Sequence, residues 1–520
     1  MSVNPRSILY AAGLLLIIAA NIPSSTASDD DVIGDIGIIS EYWGQMRPYA
    51  NNEPSYFGVS NTGLPEGCQV EQAHVLHRHA NRYPTDADVD YPFITSFVSK
   101  VSQVVARSAK FTGPLEFLNT WTNRIASNLL VPMGAAAGYS SGVDFWNRYG
   151  RILFDAPTGQ PYYVPNGNTK IRMRTSSVLR VHETALAWAN GFFGPYNTTD
   201  KYTLLVIPST GITNTTLFPT ASCTNSFQTF NYAWSDAFSG PYLPRFLTNA
   251  LARISAYAPP NTNFTVVDIF SMQMLCTYEY SAVESSDFCS LFTLNEWKGF
   301  ELVCDNIYYY SVGYGTPTAR AQGIGYVQEL VARLTNKYIT VSHSSINSTL
   351  DSSPNTFPLD QLFYFDGSHD TTIVNVLSAL SIDYFRENVS FVYPPPSSTN
   401  FRISHMTPFA ARLITEKIGC ISPTPNETNS TRTQYTKSQY KYSAALATNK
   451  FIRIRLNDGI IPLDTMRGGL CSVGRTDGMC PLNRFITAQG INEILANYAY
   501  TCFGNYSESP AFLVNDGTVF

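Results

Sequence analysis

The chain is predicted to be an α/β protein, on three observations: two strand-to-helix corners that carry charged chemistry, and further apolar runs with either strand or helix spacing. Gln69 to Leu76, apolar at Val70, Ala73, Val75 and Leu76, reads as a strand that ends in Arg78-His79-Ala80-Asn81-Arg82-Tyr83-Pro84. Leu362-Phe363-Tyr364-Phe365 reads as a second short strand. Gly367 and Ser368 then turn the chain, and after His369-Asp370 the residues Ile373, Val376, Leu377 and Leu380 fall at helical spacing. In open α/β sheets such strand C-terminal ends are where ligands bind.

Taken in order, Arg6 precedes an apolar run from Ile8 to Ala20, and Ser25-Thr26-Ala27 follows it. This is the pattern of a cleaved secretory leader, with cleavage expected near Ala27. The run is short for a membrane span, and the polar C-terminus carries no pattern of a lipid anchor, so no membrane anchor is expected. Residues 28 to about 66 are rich in Gly, Pro, Asn and Ser and read as an irregular arm laid over the surface. Phe93, Phe97, Val101 and Val104 predict a helix. Leu179, Thr184, Ala185, Trp188 and Phe192 predict another, stopped at Gly194-Pro195. Thr203 to Ile207 reads as a buried strand, residues 216–320 as a mainly helical segment, and Ile324 to Leu334 as a helical face. Residues 421–442, rich in Ser, Thr, Pro and Asn, read as a surface loop. Phe451 to Leu456 alternates, and Asn457-Asp458-Gly459 supplies hairpin turn chemistry.

With 44% hydrophobic and 13% aromatic residues the chain is globular. Its net charge of −5 gives no long-range attraction to nucleic acid or an anionic membrane, so any anion preference must be local. Eight Asn-x-Ser/Thr acceptors, at Asn197, Asn214, Asn263, Asn347, Asn388, Asn426, Asn429 and Asn505, agree with secretion and predict N-glycans. Nine cysteines without a Cys-x-x-Cys pattern suit an oxidising compartment. Their odd number leaves at least one outside any bridge, and Cys471 and Cys480 bracket a short loop across which they can pair.

The chemistry lies in the two corners. Guanidinium groups stay charged and match phosphate oxygens, so a histidine between Arg78 and Arg82 points to phosphate. His369 and Asp370 begin a helix, where free N–H groups and the dipole favour an anion. Alone, Asp370 would be an ordinary N-cap; the equivalent corner at His79 makes the pair a candidate site. His74, His77 and His79 also suggest metal ligation, but on a strand His74 faces away from the other two and the flanking arginines repel a cation. No metal or cofactor is expected.

Arg78-His79 with Arg82 and Pro84, and Ser368-His369-Asp370 further on, resemble the histidine acid phosphatases, whose signature is Arg-His-Gly-x-Arg-x-Pro with a distal His-Asp. Gly67-Cys68, Leu115 to Trp121, Arg180 to Thr184, Phe292 to Trp297 and Cys480-Pro481-Leu482 are similar to the secreted fungal phytases and acid phosphatases of that family. The resemblance implies a phosphoglycerate-mutase-like α/β core, at about 66–215 and 321–515, with helices on both faces of the sheet and a mainly helical second lobe at about 216–320. It implies disulfides Cys68 with Cys420, Cys223 with Cys502, Cys276 with Cys289 and Cys471 with Cys480, leaving Cys304 over. It also implies His79 as nucleophile, Asp370 as proton donor, and Arg78, Arg82, His369 and a third arginine as phosphate ligands. Arg174 is the expected third arginine, with Arg172 as competitor and Arg180 read as structural.

The expected function is therefore a secreted acid phosphatase acting on a small phosphorylated substrate, with phytate as one candidate. A phytate-selective enzyme is the first alternative. The family's glycine is Ala80 here, which strains the backbone if that position needs positive φ. A catalytically weak glycoprotein that keeps the fold as a binding module is thus the second alternative. Thr85 to Asp90 and Asp305 to Tyr310, where phytate-selective relatives carry lysines, supply none, and they read as an acidic rim that disfavours a highly charged substrate.

Overall fold

β1 (Cys68–Arg78) lies inside an eight-stranded mixed sheet. The computed structural model describes residues 30–85, 90–167, 170–196, 200–209, 214–227, 242–387, 389, 393–394, 399–506 and 516–519; the leader expected at 1–27 and the acceptors Asn197 and Asn388 fall outside these. The other strands are β2 (Ile171–Ser176), β3 (Tyr202–Ile207), β4 (Phe363–Ser368), β5 (Arg412–Cys420), β6 (Asn449–Leu456), β7 (Gly459–Ile460) and β8 (Cys480–Pro481). Their order is β3-β2-β4-β1-β5-β6-β7, with β8 on β6. The four strands on the β3 side run parallel, and those from β5 onward pair antiparallel.

Alternation along β1 sends its side chains into two cores. Ala73 and Val75 pack with Phe145, Trp188, Phe192 and Phe363. Leu76 belongs to the larger core that holds Ile324, Val327, Leu330, Ile373 and Val376. Phe145 comes from α2 (Pro132–Phe145) and Trp188 and Phe192 from α3 (Leu179–Phe193) on one face, and the second set from α7 (Ala319–Thr335) and α8 (Asp370–Ala379) on the other. α1 (Asp90–Ala106) and α9 (Leu482–Ala496) add Phe97, Val101 and Phe485 to the larger core. Helices thus cover both faces, as an α/β sheet buried on both sides requires. α2 and α3 approach closely because a Cβ at Gly142 would sit 2.0 Å from the Trp188 carbonyl oxygen, which only glycine avoids.

Between β3 and β4 the chain runs through α4 (Tyr242–Ser255), α5 (Val266–Val283) and α6 (Leu294–Ser311) before α7. α5 and α6 each start with a capping box, Thr265 with Asp268 and Thr293 with Glu296. Four disulfides join Cys68 to Cys420, Cys223 to Cys502, Cys276 to Cys289 and Cys471 to Cys480, while Cys304, outside them, is buried. Cross-links of this number suit an oxidising compartment. Among the described residues no helix is long and apolar enough to cross a membrane.

Two local expectations are revised. The Thr203 to Ile207 strand is half-buried, with Val206 41% exposed, because β3 is the edge of the sheet. An apolar β-branched run does not distinguish an edge from a centre. The N-terminal arm is less superficial than its composition suggests, since Trp43, Gln45 and Met46 are buried and the Gly44 N–H donates to Glu301 of α6. The hairpin at 457–458 follows its sequence: Asn457 and Asp458 both have positive φ and join β6 to β7.

Candidate active site

Parallel pairing of β1 with β4 aligns Arg78 with Ser368, and the His79 N–H donates to the Ser368 carbonyl at 3.0 Å. The residues after each strand end, His79 and His369, therefore emerge side by side, with ring centroids 5.7 Å apart at 73°. Asp370 follows as the first residue of α8, with His369 at the N-cap position. Two motifs far apart in sequence become one cluster through a single strand register.

Each side chain is seated by buried contacts. Arg78 Nη1 donates to the carbonyls of Gln45 and Thr407, its Nη2 pairs with Asp370 Oδ2 at 2.6 Å, and its guanidinium lies 4.6 Å from the Phe409 ring centroid. The arm thus fixes Arg78 through Gln45. His79 Nδ1 lies 3.0 Å from the Ala80 carbonyl, which can only accept, so Nδ1 carries the proton and Nε2 keeps its lone pair. The Ala80 N–H donates to Thr184 Oγ1 of α3 at 3.0 Å. Asp370 accepts from the Thr371 N–H at 2.8 Å and from the Tyr308 hydroxyl of α6 at 3.0 Å. Arg82 is buried and donates to the Tyr83 carbonyl, and Phe218 covers His369 at 4.8 Å.

Charge and burial set the protonation states. Burial, then Arg180, Arg78 and Arg82, hold the His79 imidazole well below its ordinary value. The same burial and the same arginines bring His369 down to about 3. Burial raises the Asp370 carboxyl, but Arg78, Arg82, His369 and the Thr371 N–H outweigh it and bring it down to about 2. Tyr308 is pushed far up by burial and by Asp370, so it stays a hydroxyl donor. The cluster therefore holds two neutral imidazoles and one carboxylate among cations, a constellation suited to binding an oxyanion and moving a proton.

Arg78, His79, Arg82, His369 and Asp370 come together; Arg174 does not. It lies within β2, paired in register with Asp366, and its guanidinium turns to the face covered by α7. There its Nε donates to Asp366 at 2.6 Å and its Nη groups to both oxygens of Glu329 at 2.9 and 2.6 Å. Arg333 closes the other side of Asp366. Arg180, in the first turn of α3, bears on His79 and His369 instead. The expected order of these two arginines is thus corrected: Arg174 sits inside a strand, and Arg180 lies beyond the strand end, where the site is.

Other sequence readings meet their surroundings here. His77 bonds the Arg78 carbonyl and Ser141, and His74 bonds Gln72 and stacks on Tyr364, so both are packed strand residues. Ala80 is not among the residues with positive φ, so its methyl imposes no left-handed strain. Asp305 is buried and accepts from the Ile403 N–H at 2.7 Å, so it does not contribute to an acidic rim, and residues 86–89 lie outside the described residues. Tyr308 and Thr184 were not singled out as site residues by sequence. The run Tyr308-Tyr309-Tyr310 on a buried helix was the one available signal for the first.

The family model of the histidine phosphatase superfamily, branch 2, matches residues 69–452. The chain is similar to Phytase A of Aspergillus fumigatus, 29% identical over 92% of this chain and 95% of that protein. It is similar to Phytase A of Neurospora crassa, 26% identical over 85% of this chain and 88% of that one. The crystal structure of the phytase from D. castellii shares the fold, with a TM-score of 0.67 and 22% identity over 91% of this chain and 90% of that chain. So does the multiple inositol polyphosphate phosphatase of Bifidobacterium longum in complex with inositol hexasulfate, with a TM-score of 0.52 and 13% identity over 81% and 92%.

Proposed function

The chain belongs to the histidine phosphatase superfamily, branch 2, and from that premise we propose that it is a secreted acid phosphatase hydrolysing phosphate monoesters through a phosphohistidine on His79. The observation that supports this most directly is the His79 tautomer. Nδ1 is held by the Ala80 carbonyl, which leaves the Nε2 lone pair as nucleophile on a ring kept neutral in acid.

In the first step Nε2 attacks phosphorus in line, the ester P–O bond breaks, and Asp370 gives its proton to the leaving alkoxide. In the second, water attacks phosphorus, Asp370 takes the water proton, and the P–N bond breaks with its electron pair returning to His79. Arg78, Arg82, Arg180 and His369 hold the equatorial oxygens, with Arg180 in the place expected for Arg174. Without substrate Asp370 is ionised beside Arg78. A bound phosphate dianion offsets those cations, and burial then lifts Asp370 into its acid form, so substrate binding carries a proton in.

Cleavage of a leader near Ala27 and glycans on the exposed Asn214, Asn263, Asn426, Asn429 and Asn505 belong to the same proposal, as does a helical lobe inserted between two parts of the core. For substrate, a broad range that includes inositol hexakisphosphate is proposed. Selectivity for that polyphosphate is the second reading, favoured by the relatives named Phytase A. The ratio of turnover on inositol hexakisphosphate to that on an aryl phosphate separates the two. Rapid-quench trapping with labelled substrate, with chelator present, tests the chemistry. A phosphohistidine in the parent protein that is absent from His79→Ala is expected; loss of activity to the chelator, or label on another residue, overturns the reading.

A further inference from the structure

We propose a second anion site, for a small molecule bearing several phosphate or sulfate groups, in a cavity at the opposite end of β1 from His79. The cavity has a volume of about 380 Å³ and is lined by Arg148, Arg151, Arg432, Arg453 and Arg455, with Glu416 the single carboxylate among the described lining residues. It touches Cys68, Gln69 and Val70, where β1 begins, whereas the candidate active site lies where β1 ends. At about 3.3 Å per residue the two are roughly 30 Å apart.

The cavity's internal bonds leave positive charge exposed to it. Glu416 is buried and accepts from Arg453 Nε at 2.6 Å, Arg455 Nε at 2.9 Å and the Tyr149 hydroxyl at 2.7 Å, so one carboxylate serves two guanidiniums. Burial pushes its carboxyl up, but Arg453 and Arg455 bring it down to about 2, so it remains ionised. The Nη2 groups of Arg453 and Arg455 have no acceptor among the described residues, although these side chains are only 3% and 11% exposed. Arg148 pairs with Asp458. Arg151 donates only to the carbonyls of Gln434 and Tyr435, and Arg432 lies 5.0 Å from the Tyr440 ring centroid; neither contact cancels a charge.

Five guanidiniums around one concavity repel one another, and an anion relieves that repulsion. Their forks match phosphate or sulfate, and the volume is that of a small-molecule site. The concentration is local, since the whole chain carries a net charge of −5. Glu416 and Asp458 answer two of the five guanidiniums, and the three that remain exceed what one monoanion or dianion cancels, which is why the inferred ligand carries several anionic groups. The inference stands on the cavity alone and does not depend on the proposed chemistry at His79.

The test is calorimetric titration of the whole protein with inositol hexakissulfate, which cannot be hydrolysed by phosphoryl transfer. Two classes of site are expected in the parent. Arg148→Gln with Arg432→Glu, both on exposed side chains, should weaken one class at least tenfold, and Arg180→Ala should weaken the other. The thermal midpoint monitors folding, and Arg432→Glu alone serves if the double variant unfolds. As a second readout, ligand should protect the amides of 431–434 from hydrogen exchange in Arg180→Ala. Parent binding, in one class or two, that the Arg148 and Arg432 variants leave intact, or no protection of 431–434 by ligand in Arg180→Ala, overturns the inference.

Discussion

Two arginine clusters, one between β2, β4 and α7 and the other beyond the ends of β1 and β4, use their charge in opposite ways. In one, Arg174 and Arg333 meet Asp366 and Glu329 through matched hydrogen bonds, and Asp351 lies 3.8 Å from Arg174. There guanidinium answers carboxylate, and the extra carboxyl, Asp351, is pushed up to about 9 by burial and by Glu329, so it keeps its proton. In the other, Arg78, Arg82 and Arg180 bear on two imidazoles that burial already keeps neutral. Positive potential that falls on neutral groups is what an arriving oxyanion can answer. The first cluster holds the sheet to α7; the second is poised for a ligand.

Substitutions should separate the clusters cleanly. Asp370→Asn, in the ligand-facing cluster, should lower kcat by roughly 10²- to 10⁴-fold through its proposed part in proton transfer, and should also lower the thermal midpoint, because Arg78 loses its buried carboxylate partner. A variant that keeps parental kcat would remove Asp370 from the chemistry. Arg174→Met should cost about 3 to 5 kcal/mol of stability, because Asp366 and Glu329 would stay buried without their partner. Arg180→Met should do the reverse, losing roughly 10²- to 10³-fold in kcat/KM at nearly parental stability. Denaturant titration beside steady-state kinetics reads both, and an exchange of the two phenotypes would restore Arg174 to the site. Tyr308→Phe should be smaller, about tenfold in kcat with KM unchanged. Asp370 would lose a donor to its ionised form and titrate higher, moving the basic limb of kcat upward; an unmoved limb would make Tyr308 merely a packing residue.

The same contrast explains what could be read from sequence. His79, Arg78, Arg82, His369 and Asp370 were legible because each motif sits at a local strand-to-helix corner whose apolar spacing is visible in a few residues. Arg174 and Arg180 were not separable, because their difference depends on where β2 ends, and the alternation Ile171-Arg172-Met173-Arg174 does not mark that end. Nor does sequence show that α7 presents Glu329 to Arg174, a contact between residues 155 apart. The arm was legible as irregular, yet its burial at Gln45 follows from Arg78 needing a carbonyl, which no local pattern reveals.

The clusters should also tilt stability with pH in opposite directions. His369 falls to about 3 in the folded protein, against about 6.5 for an unfolded histidine. Its folded form resists protonation, so its contribution is full above about 6.5 and is lost as pH falls toward 3. His79 acts in the same sense. Asp351 is raised to about 9 from an unfolded value of about 3.9, so its contribution is full below about 3.9 and is lost as pH rises through 9. Asp351→Asn should therefore flatten the decline of stability between about pH 4 and 9 and leave the acid side unchanged. Saturating inorganic phosphate should do the opposite, flattening the acid side by giving the cations around His79 and His369 an anion to hold when the imidazoles protonate. Denaturant midpoints across pH, with and without phosphate, measure both slopes. If Asp351→Asn changed the acid slope, the two clusters would have to be treated as one coupled network.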